Sequence, residues 1–402
     1  MAKPIGALCN LNCEYCFYLK KEHIYSHSNK NSFRMSKETL EAYVKNYIET
    51  QPEGLNEVIF AWQGGEPTLM DLSFFKEAIK LQQKYKRLGQ SIKNSLQTNG
   101  TLITEEMAKF YKDNNFLLGI SVDGPENLHN KYRKDPKGNG SFIKVMSGIE
   151  LLKKYKVEFN TLTVLQNDNS KHPKEIYEFL KSIDSTYLQF IPIVEKDGND
   201  TLSYRTVQPE QFGEFMISLF KLWVINDIGK IFIGHFDMLL GLYMGYPSSQ
   251  CVHSKTCGTA IAMEHNGDLY SCDHFVNPEN KIGNLLVDNM AEMINSEKQT
   301  KFGNDKFNSL PNKCLECRYL PLCYGACPKD RLKNNINYLC EGYYKFYSFT
   351  EPYFKAMATA LKMGKEAKDF RLFLQFSAKP KTKRNDPCHC LSGKKYKNCC
   401  GN

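Results

Sequence analysis

Cys9-Asn10-Leu11-Asn12-Cys13-Glu14-Tyr15-Cys16 brings three thiols into one short stretch, spaced by three residues and then by two. Thiolates are the usual ligands of iron–sulfur clusters, and a four-iron cluster takes four of them. Three leave one iron without a protein ligand. An open coordination position is what a catalytic metal site keeps and a structural site fills. A zinc knuckle, or three unrelated buried thiols, would carry the same spacing, so the rest of the chain has to decide.

A second array runs Cys251, Cys257, Gly267, Cys272, then Cys314-x2-Cys317-x5-Cys323-x3-Cys327, and ends at Cys340. Its eight cysteines make two sets of four, which two zinc sites or two closed clusters would satisfy equally. Cys388, Cys390, Cys399 and Cys400 form a third group near the end of the chain. Four thiolates so close together suit a closed tetrahedral zinc site, and bound metal would supply the folding energy that about twenty residues cannot draw from a core. His389 lies between two of them and is an alternative donor. The 15 cysteines thus divide without remainder, and only the first group is short of a ligand.

The elements that must position these groups alternate. Leu40, Tyr43, Val44, Tyr47 and Ile48 recur at helical spacing over 37–50, with Ser36 as N-cap. Residues 57–62 read as a buried strand ending at Gly64-Gly65, followed by a helix over 72–85. Strands at 92–98, 117–122, 159–164 and 187–194 alternate with helices opened by Thr104, marked by Phe142, Val145, Met146, Ile149 and Leu152, and begun at Pro173. With a short strand before Cys9 this makes about six β–α units. Right-handed crossovers of that kind build a parallel sheet whose strand C-termini carry the site. Periodicity does not separate a partial barrel from a doubly wound sheet.

The candidate site residues fall at those strand ends. Gln63-Gly64-Gly65-Glu66-Pro67 follows the second strand, where side-chain-free glycines admit a ligand to the backbone and the Glu66 carboxylate can accept from an ammonium group. Gln97-Thr98-Asn99-Gly100 and Ser121-Val122-Asp123-Gly124-Pro125 follow the third and fourth, where turn chemistry explains the glycines equally well. His129 and Arg133 come next at i, i+4, a spacing that on local grounds puts them on a helix surface.

The three-cysteine motif with the aromatic Phe17 after it, one strand ahead of Gly64-Gly65-Glu66-Pro67, resembles the radical S-adenosylmethionine (SAM) superfamily. Cys-x9-Gly-x4-Cys followed by Cys-x2-Cys-x5-Cys-x3-Cys resembles the SPASM extension of its peptide-modifying members. Cys16-Phe17-Tyr18, residues 62–68, residues 94–101, Asp123-Gly124-Pro125 and Cys272-Asp273 together resemble the anaerobic sulfatase-maturating enzymes, over roughly residues 1–350. Arg384–Cys390 with Lys394–Gly401 resembles the SEC-C zinc motif.

The resemblance implies an α/β fold: a partial (β/α)6 radical SAM barrel over 1–230, a cysteine-rich SPASM domain over 231–345, helices and linker over 346–379, and a SEC-C motif over 380–402. It implies three 4Fe–4S clusters. Cys9, Cys13 and Cys16 hold one, whose free iron is chelated by SAM and whose reduction releases a 5′-deoxyadenosyl radical. Cys251, Cys257, Cys272 and Cys327 hold the first auxiliary cluster, and Cys314, Cys317, Cys323 and Cys340 the second. Cys388, Cys390, Cys399 and Cys400 hold Zn2+. Tyr18, Gly64, Gly65, Glu66, Ser121 and Arg133 are assigned to the cofactor. Tyr18, with Gln63 and Gln189, is also a candidate for holding the target peptide. Asp273, which as a lone Asp would be an ordinary turn residue, becomes the general base for oxidation of a sulfatase Cys or Ser to Cα-formylglycine. His274 stands where family members often show an aromatic residue.

Partners follow from that reading: an unfolded or nascent sulfatase polypeptide, an electron donor such as flavodoxin or ferredoxin, and for the SEC-C tail another protein. Lys and Arg number 53 against 44 Asp and Glu, for a net charge of +9, most of it carried between Lys379 and Lys397. The remainder is nearly balanced, so a nucleic-acid groove is not implied. No apolar run approaches the roughly 20 residues of a membrane span. The N-terminus enters the cysteine motif directly and the cysteine content suits metal ligation in a reducing compartment, so a cytoplasmic location is expected. Two other functions fit the motifs: a SPASM maturase that crosslinks another ribosomally made peptide, and, from a different class, an iron–sulfur redox-responsive binding protein.

Overall fold

Side-chain caps open the helices where the apolar periodicity begins. In the computed structural model, Ser36 accepts from the amide of Thr39 at the start of α1 (Lys37–Glu49), and Asp71 from that of Phe74 at α2 (Leu72–Tyr85). Thr104 does the same for Met107 at α3 (Glu105–Asp113). Each satisfies an amide that a first helical turn leaves without a partner. The structure describes residues 1–25, 33–196, 201–332, 334–366, 370, 384–386 and 394–398. Cys388, Cys390, Cys399 and Cys400 lie outside the described residues.

The chain forms two compact units. The first comprises Met1–Val164 and Lys255–Ser309. Its strands are β1 (Ala2–Lys3), β2 (Glu57–Trp62), β3 (Ser91–Thr98), β4 (Phe116–Ser121) and β5 (Phe159–Leu165). They pair in parallel in that order, with α4 (Glu126–Tyr132) and α5 (Phe142–Lys154) between β4 and β5. The alternation legible in the sequence is therefore present. One detail differs: β2 is buried on one face only, and Ile59 is 51% exposed. Its inward residues Phe60 and Trp62 pack edge-on to Tyr43 of α1, and Trp62 reaches Phe74 and Phe75 of α2.

A longer-range pairing extends this sheet. Strand β8 (Ala262–Glu264) lies parallel to β1, with Ala2 opposite Met263 and Lys3 opposite Glu264. Strands β9 (Asp268–Tyr270) and β10 (Lys281–Asn284) follow as antiparallel neighbours. Within this unit the order is β10-β9-β8-β1-β2-β3-β4-β5, a mixed sheet that is open rather than closed. The cysteine-bearing segment from 255 to 309 thus joins the first unit instead of beginning a new one near 231. The helices α9 (Met290–Ile294) and α10 (Glu297–Asn308) complete it.

The second unit comprises Leu165–Ser254 and the chain from Leu310 onward. It contains β6 (Tyr187–Pro192) paired in parallel with β7 (Phe232–Ile233), and the helices α6 (Pro173–Ser182), α7 (Pro209–Asn226) and α8 (Gly234–Met244). The short α11 (Asn312–Leu315) and α12 (Leu320–Cys323) carry cysteines, and α13 (Cys340–Lys362) packs on α7 and α8. Phe220 of α7 is the hub of that packing: rings of Trp223, Phe236, Tyr353 and Phe354 surround it. Among the described residues no helix is long and apolar enough to cross a membrane.

Candidate active site

The loop that bears Cys9, Cys13 and Cys16 leaves β1 and is held on both sides. The amides of Gly65 and Glu66 donate to the carbonyls of Gly6 and Leu8 at 2.8 Å each, and those of Asn12 and Glu14 donate to the carbonyls of Lys134 and Tyr132 at 2.7 and 3.1 Å. The Gly-Gly segment is required sterically. A Cβ on Gly65 would lie 1.8 Å from the Leu8 carbonyl oxygen, which as backbone cannot move aside.

The sulfurs are set up for a cationic group. Burial first, then the nearby Glu66 carboxylate, pushes the Cys9 thiol up to about 12, and burial raises Cys13 to about 11 against the pull of Arg133. Such thiols stay protonated unless bound metal compensates the thiolate charge. Their surroundings offer what cluster sulfurs accept: the Leu11 amide donates to Cys9 Sγ at 3.3 Å and Asn99 Nδ2 reaches it at 3.8 Å. The three residues fit the three-thiolate end of a cluster.

The strand ends deliver the other named groups, with some in unexpected roles. Glu66 is 1% exposed and its carboxylate is fully engaged. It accepts from the Thr68 amide at 3.0 Å, from the hydroxyls of Thr68 and Thr98 at 2.6 Å, and from the Asn99 amide at 2.7 Å. It ties the ends of β2 and β3 together. Burial raises its pKa despite these donors.

His129 and Arg133 are not a surface pair. His129 is fully buried, its Nε2 3.0 Å from Ser141 Oγ and its Nδ1 accepting from the Asp123 amide at 3.3 Å. Arg133 Nε meets Asp123 Oδ2 at 3.0 Å, and the Tyr15 hydroxyl donates to the same oxygen. The difference from a surface pair arises because α4 is only seven residues long and turns Leu128, His129 and Tyr132 inward. Arg133 lies at its C-cap and acts on the loop that carries Cys13, Tyr15 and Cys16. Ser121, at the end of β4, is half-buried.

Asp273 follows Cys272 directly, in the turn after β9. Its Oδ1 forms an ion pair with Lys3 Nζ, and Lys21 Nζ donates to its backbone carbonyl at 3.2 Å. Burial works against ionisation of Asp273, yet Lys3, aided by His274 and Lys21, holds its carboxyl below the usual range. Burial and then Lys3 pull the Lys21 ammonium down to about 8. Tyr18 does not present its hydroxyl to the site: it is buried and donates to Glu264 Oε1. Gln63 bonds to the Met1 sulfur and to the Ala2 carbonyl through its own amide. His274 packs on Phe17 at 5.0 Å, and Phe17 is 44% exposed. Glu264, Tyr25 and Lys3 escaped the sequence reading. The register of β8 on β1, invisible in local patterns, brings Glu264 to Lys3, and Tyr25 joins them by donating to Glu264.

Cys257 and Cys272 belong to the first unit, and Cys251, Cys327 and the half-buried Gln189 to the second. Within the second unit, Cys314, Cys317, Cys323 and Cys340 lie close enough to perturb one another's charge. Tyr324, Gly325 and Ala326 all take positive φ (45°, 70° and 49°) between Cys323 and Cys327. This left-handed run aims the amides of Gly325 and Ala326 at Cys323, whose thiol burial has pushed up to about 12. Non-glycine residues in that conformation cost of order 1 kcal/mol or more each, and such backbone concavities suit anionic cluster sulfurs.

Gly65→Ala should displace Leu8 and unseat the cysteine loop: anaerobically reconstituted protein should lose about four irons per chain relative to wild type. Iron analysis and the rate of SAM cleavage check this.

Residues 4–180 match the radical SAM superfamily, 251–318 the iron-sulfur cluster-binding SPASM domain, and 384–402 the SEC-C motif. A serine-type anaerobic sulfatase-maturating enzyme of Bacteroides thetaiotaomicron is 45% identical over 382 residues, covering 90% of this chain and 91% of that one. A cysteine-type anaerobic sulfatase-maturating enzyme of Clostridium perfringens is 36% identical, covering 90% and 98%. A solved structure of native anSMEcpe with bound AdoMet and Kp18Cys peptide superposes with a TM-score of 0.79 at 36% identity, covering 89% of this chain and 98% of that one. The α/β architecture is thus the radical SAM fold with a SPASM domain, which brings a SAM-binding four-iron cluster and further iron–sulfur ligation. The chain belongs to the anaerobic sulfatase-maturating enzymes of the radical SAM superfamily.

Proposed function

We propose that this chain oxidises an active-site serine or cysteine of a sulfatase polypeptide to Cα-formylglycine, with Asp273 as the general base. One observation carries the assignment of Asp273. Its carboxylate stands beside Cys272 in the unit that holds the three-cysteine loop, with Oδ1 paired to Lys3 and no hydrogen bond on Oδ2 among the described residues. Held below the ordinary carboxylate range, it is ionised at neutral pH and able to take a proton.

Converting –CH2–XH to –CH=X removes one hydrogen atom from Cβ, one proton from X and one further electron. When bound, the clusters and SAM supply the hydrogen-atom abstraction and accept that electron. Asp273 receives the proton from oxygen or sulfur. Serine then gives the aldehyde directly; for cysteine, water replaces sulfur and hydrogen sulfide leaves.

Cys9, Cys13 and Cys16 hold the cluster with the open iron. The Gly64-Gly65 backbone and Ser121 face SAM, while Glu66 and Arg133 contribute by holding the backbone around it. Tyr18 serves through Glu264 and Lys3, and Gln63 and Gln189 contact the peptide. Cys251, Cys257, Cys272 and Cys327 hold one auxiliary cluster; Cys314, Cys317, Cys323 and Cys340 hold the other, supported by the left-handed run beside Cys323. The tail cysteines Cys388, Cys390, Cys399 and Cys400 bind zinc, and the tail docks another protein. A flavodoxin or ferredoxin donates electrons, and the enzyme works in the cytoplasm.

Asp273→Asn should lower formylglycine formation by about 100-fold or more while cleavage of SAM to 5′-deoxyadenosine persists; wild-type conversion in that variant would remove Asp273 from the mechanism. Reconstitution of the full chain should give about twelve irons, from three four-iron clusters. A value of about four would contradict both auxiliary sites.

A further inference from the structure

Lys3 is an ammonium that has been taken almost wholly out of water: it is 2% exposed. Burying a charge costs several kcal/mol unless it is paired and hydrogen-bonded. A partner stands directly across the sheet, because the β1–β8 register puts Glu264 opposite Lys3. Yet both Glu264 oxygens are taken by tyrosines. Tyr18 donates to Oε1, and Tyr25 donates to Oε2 at 2.5 Å. The direct ion pair of Lys3 goes instead to Asp273 Oδ1. The ammonium also sits 3.6 Å from the centroid of the Tyr18 ring, whose face attracts a cation.

The Asp273 carboxylate and the face of the Tyr18 ring hold Lys3, the Tyr18 hydroxyl is itself held by Glu264, and Lys3 in turn fixes Asp273. A carboxylate on a single methylene turns freely about its last bond, so either oxygen can face a reactant. With Oδ1 paired to a cation that cannot move, and with the Asp273 carbonyl held by Lys21, that rotation is lost. Oδ2 is left without a hydrogen bond among the described residues, on a side chain that is 19% exposed. A purely structural ion pair would be expected to engage the carboxylate more fully, as Glu66 and Glu264 are engaged nearby.

We infer that Lys3 is a positioning residue of the reaction: seated against the Tyr18 ring, which Glu264 holds in turn, it clamps Asp273 Oδ1 so that Oδ2 is the oxygen that accepts the substrate proton. The inference rests on the reading of Asp273 as the general base. It gives β1 a second duty besides leading into Cys9, and gives Tyr18 and Glu264 a common purpose in holding the clamp. Loss of the clamp leaves hydrogen-atom abstraction possible but separates it from deprotonation, so SAM is consumed without product.

The test uses reconstituted full-length enzyme with a sulfatase-derived peptide and reads formylglycine formed per 5′-deoxyadenosine. Lys3→Met should keep its iron and lower that ratio by about tenfold or more, the scale of a misplaced catalytic group. Lys3→Arg, which keeps a cation, should restore it to within about threefold of wild type. Because Lys3 acts through Asp273, the Lys3→Met/Asp273→Asn double variant should match Asp273→Asn within about twofold.

A wild-type ratio in iron-replete Lys3→Met overturns the inference, as does a double variant falling a further tenfold or so below Asp273→Asn. Should Lys3→Met lose iron, Lys3→Gln is read in its place, and an unchanged ratio there is equally fatal. If Asp273→Asn itself keeps the wild-type ratio, the general-base reading fails, whereas a defective Asp273→Asn beside a normal Lys3→Met sinks the clamp alone.

Discussion

An ammonium and a carboxylate 270 positions apart in the chain meet inside the first unit, and the geometry of the site depends on their pairing. Lys3 is buried on a two-residue strand between β2 and β8, with the Tyr18 ring over its ammonium. A lone ammonium could not remain there. The sheet therefore has to bring negative charge to it, and it does so twice: β8 delivers Glu264 across the register, and the turn after β9 delivers Asp273. The same two-residue strand runs directly into the three-cysteine loop. One short element thus leads into the three-cysteine loop and also carries the ammonium that pairs with Asp273.

Close backbone approach is the second constraint. Gly65 lies where only hydrogen fits against the Leu8 carbonyl, and the paired amides of Gly65 and Glu66 lock the cysteine loop to the end of β2. Glu66 then gathers Thr68, Thr98 and Asn99, and so bonds two strand ends to each other. On the other flank the Asp123–Arg133–Tyr15 group does the same for Cys13 and Cys16. In both cases a buried charged side chain holds backbone beside the cysteine loop.

Much of this was legible in the sequence wherever the signal is local. The cysteine spacings, the Gly-Gly turn and the alternation of strands and helices are short-range patterns, and the helix caps at Ser36 and Thr104 stand where polar residues precede apolar periodicity. What could not be read depends on pairing between distant segments. Lys3 in Ala2–Lys3 offers no strand signal of its own, and its partner Glu264 lies over 250 residues away in a segment that looked like the start of a separate domain. For His129 and Arg133, i, i+4 spacing says which residues share a face, not whether that face is covered, and both are buried. Glu66 stands out in the sequence beside Gly64-Gly65, but its bonds to Thr98 and Asn99 depend on the pairing of β2 with β3 and are not local. Of the rival functions, a passive iron–sulfur binding protein gives no reason for a carboxylate paired with Lys3 at one oxygen and, among the described residues, without a hydrogen bond on the other.

The most direct measurement is made on wild-type enzyme, reduced and anaerobic, with SAM and two peptides that differ only in carrying serine or cysteine at the target position. Mass spectrometry should show at least one peptide converted to an aldehyde-bearing product: loss of two hydrogens from the serine peptide, or exchange of sulfur for oxygen together with that loss from the cysteine peptide. Carbonyl-specific labelling should capture the product, and comparison of the two rates gives the preference. Stoichiometric 5′-deoxyadenosine with no carbonyl in either peptide, or a new internal crosslink in its place, would contradict formylglycine formation by this chain.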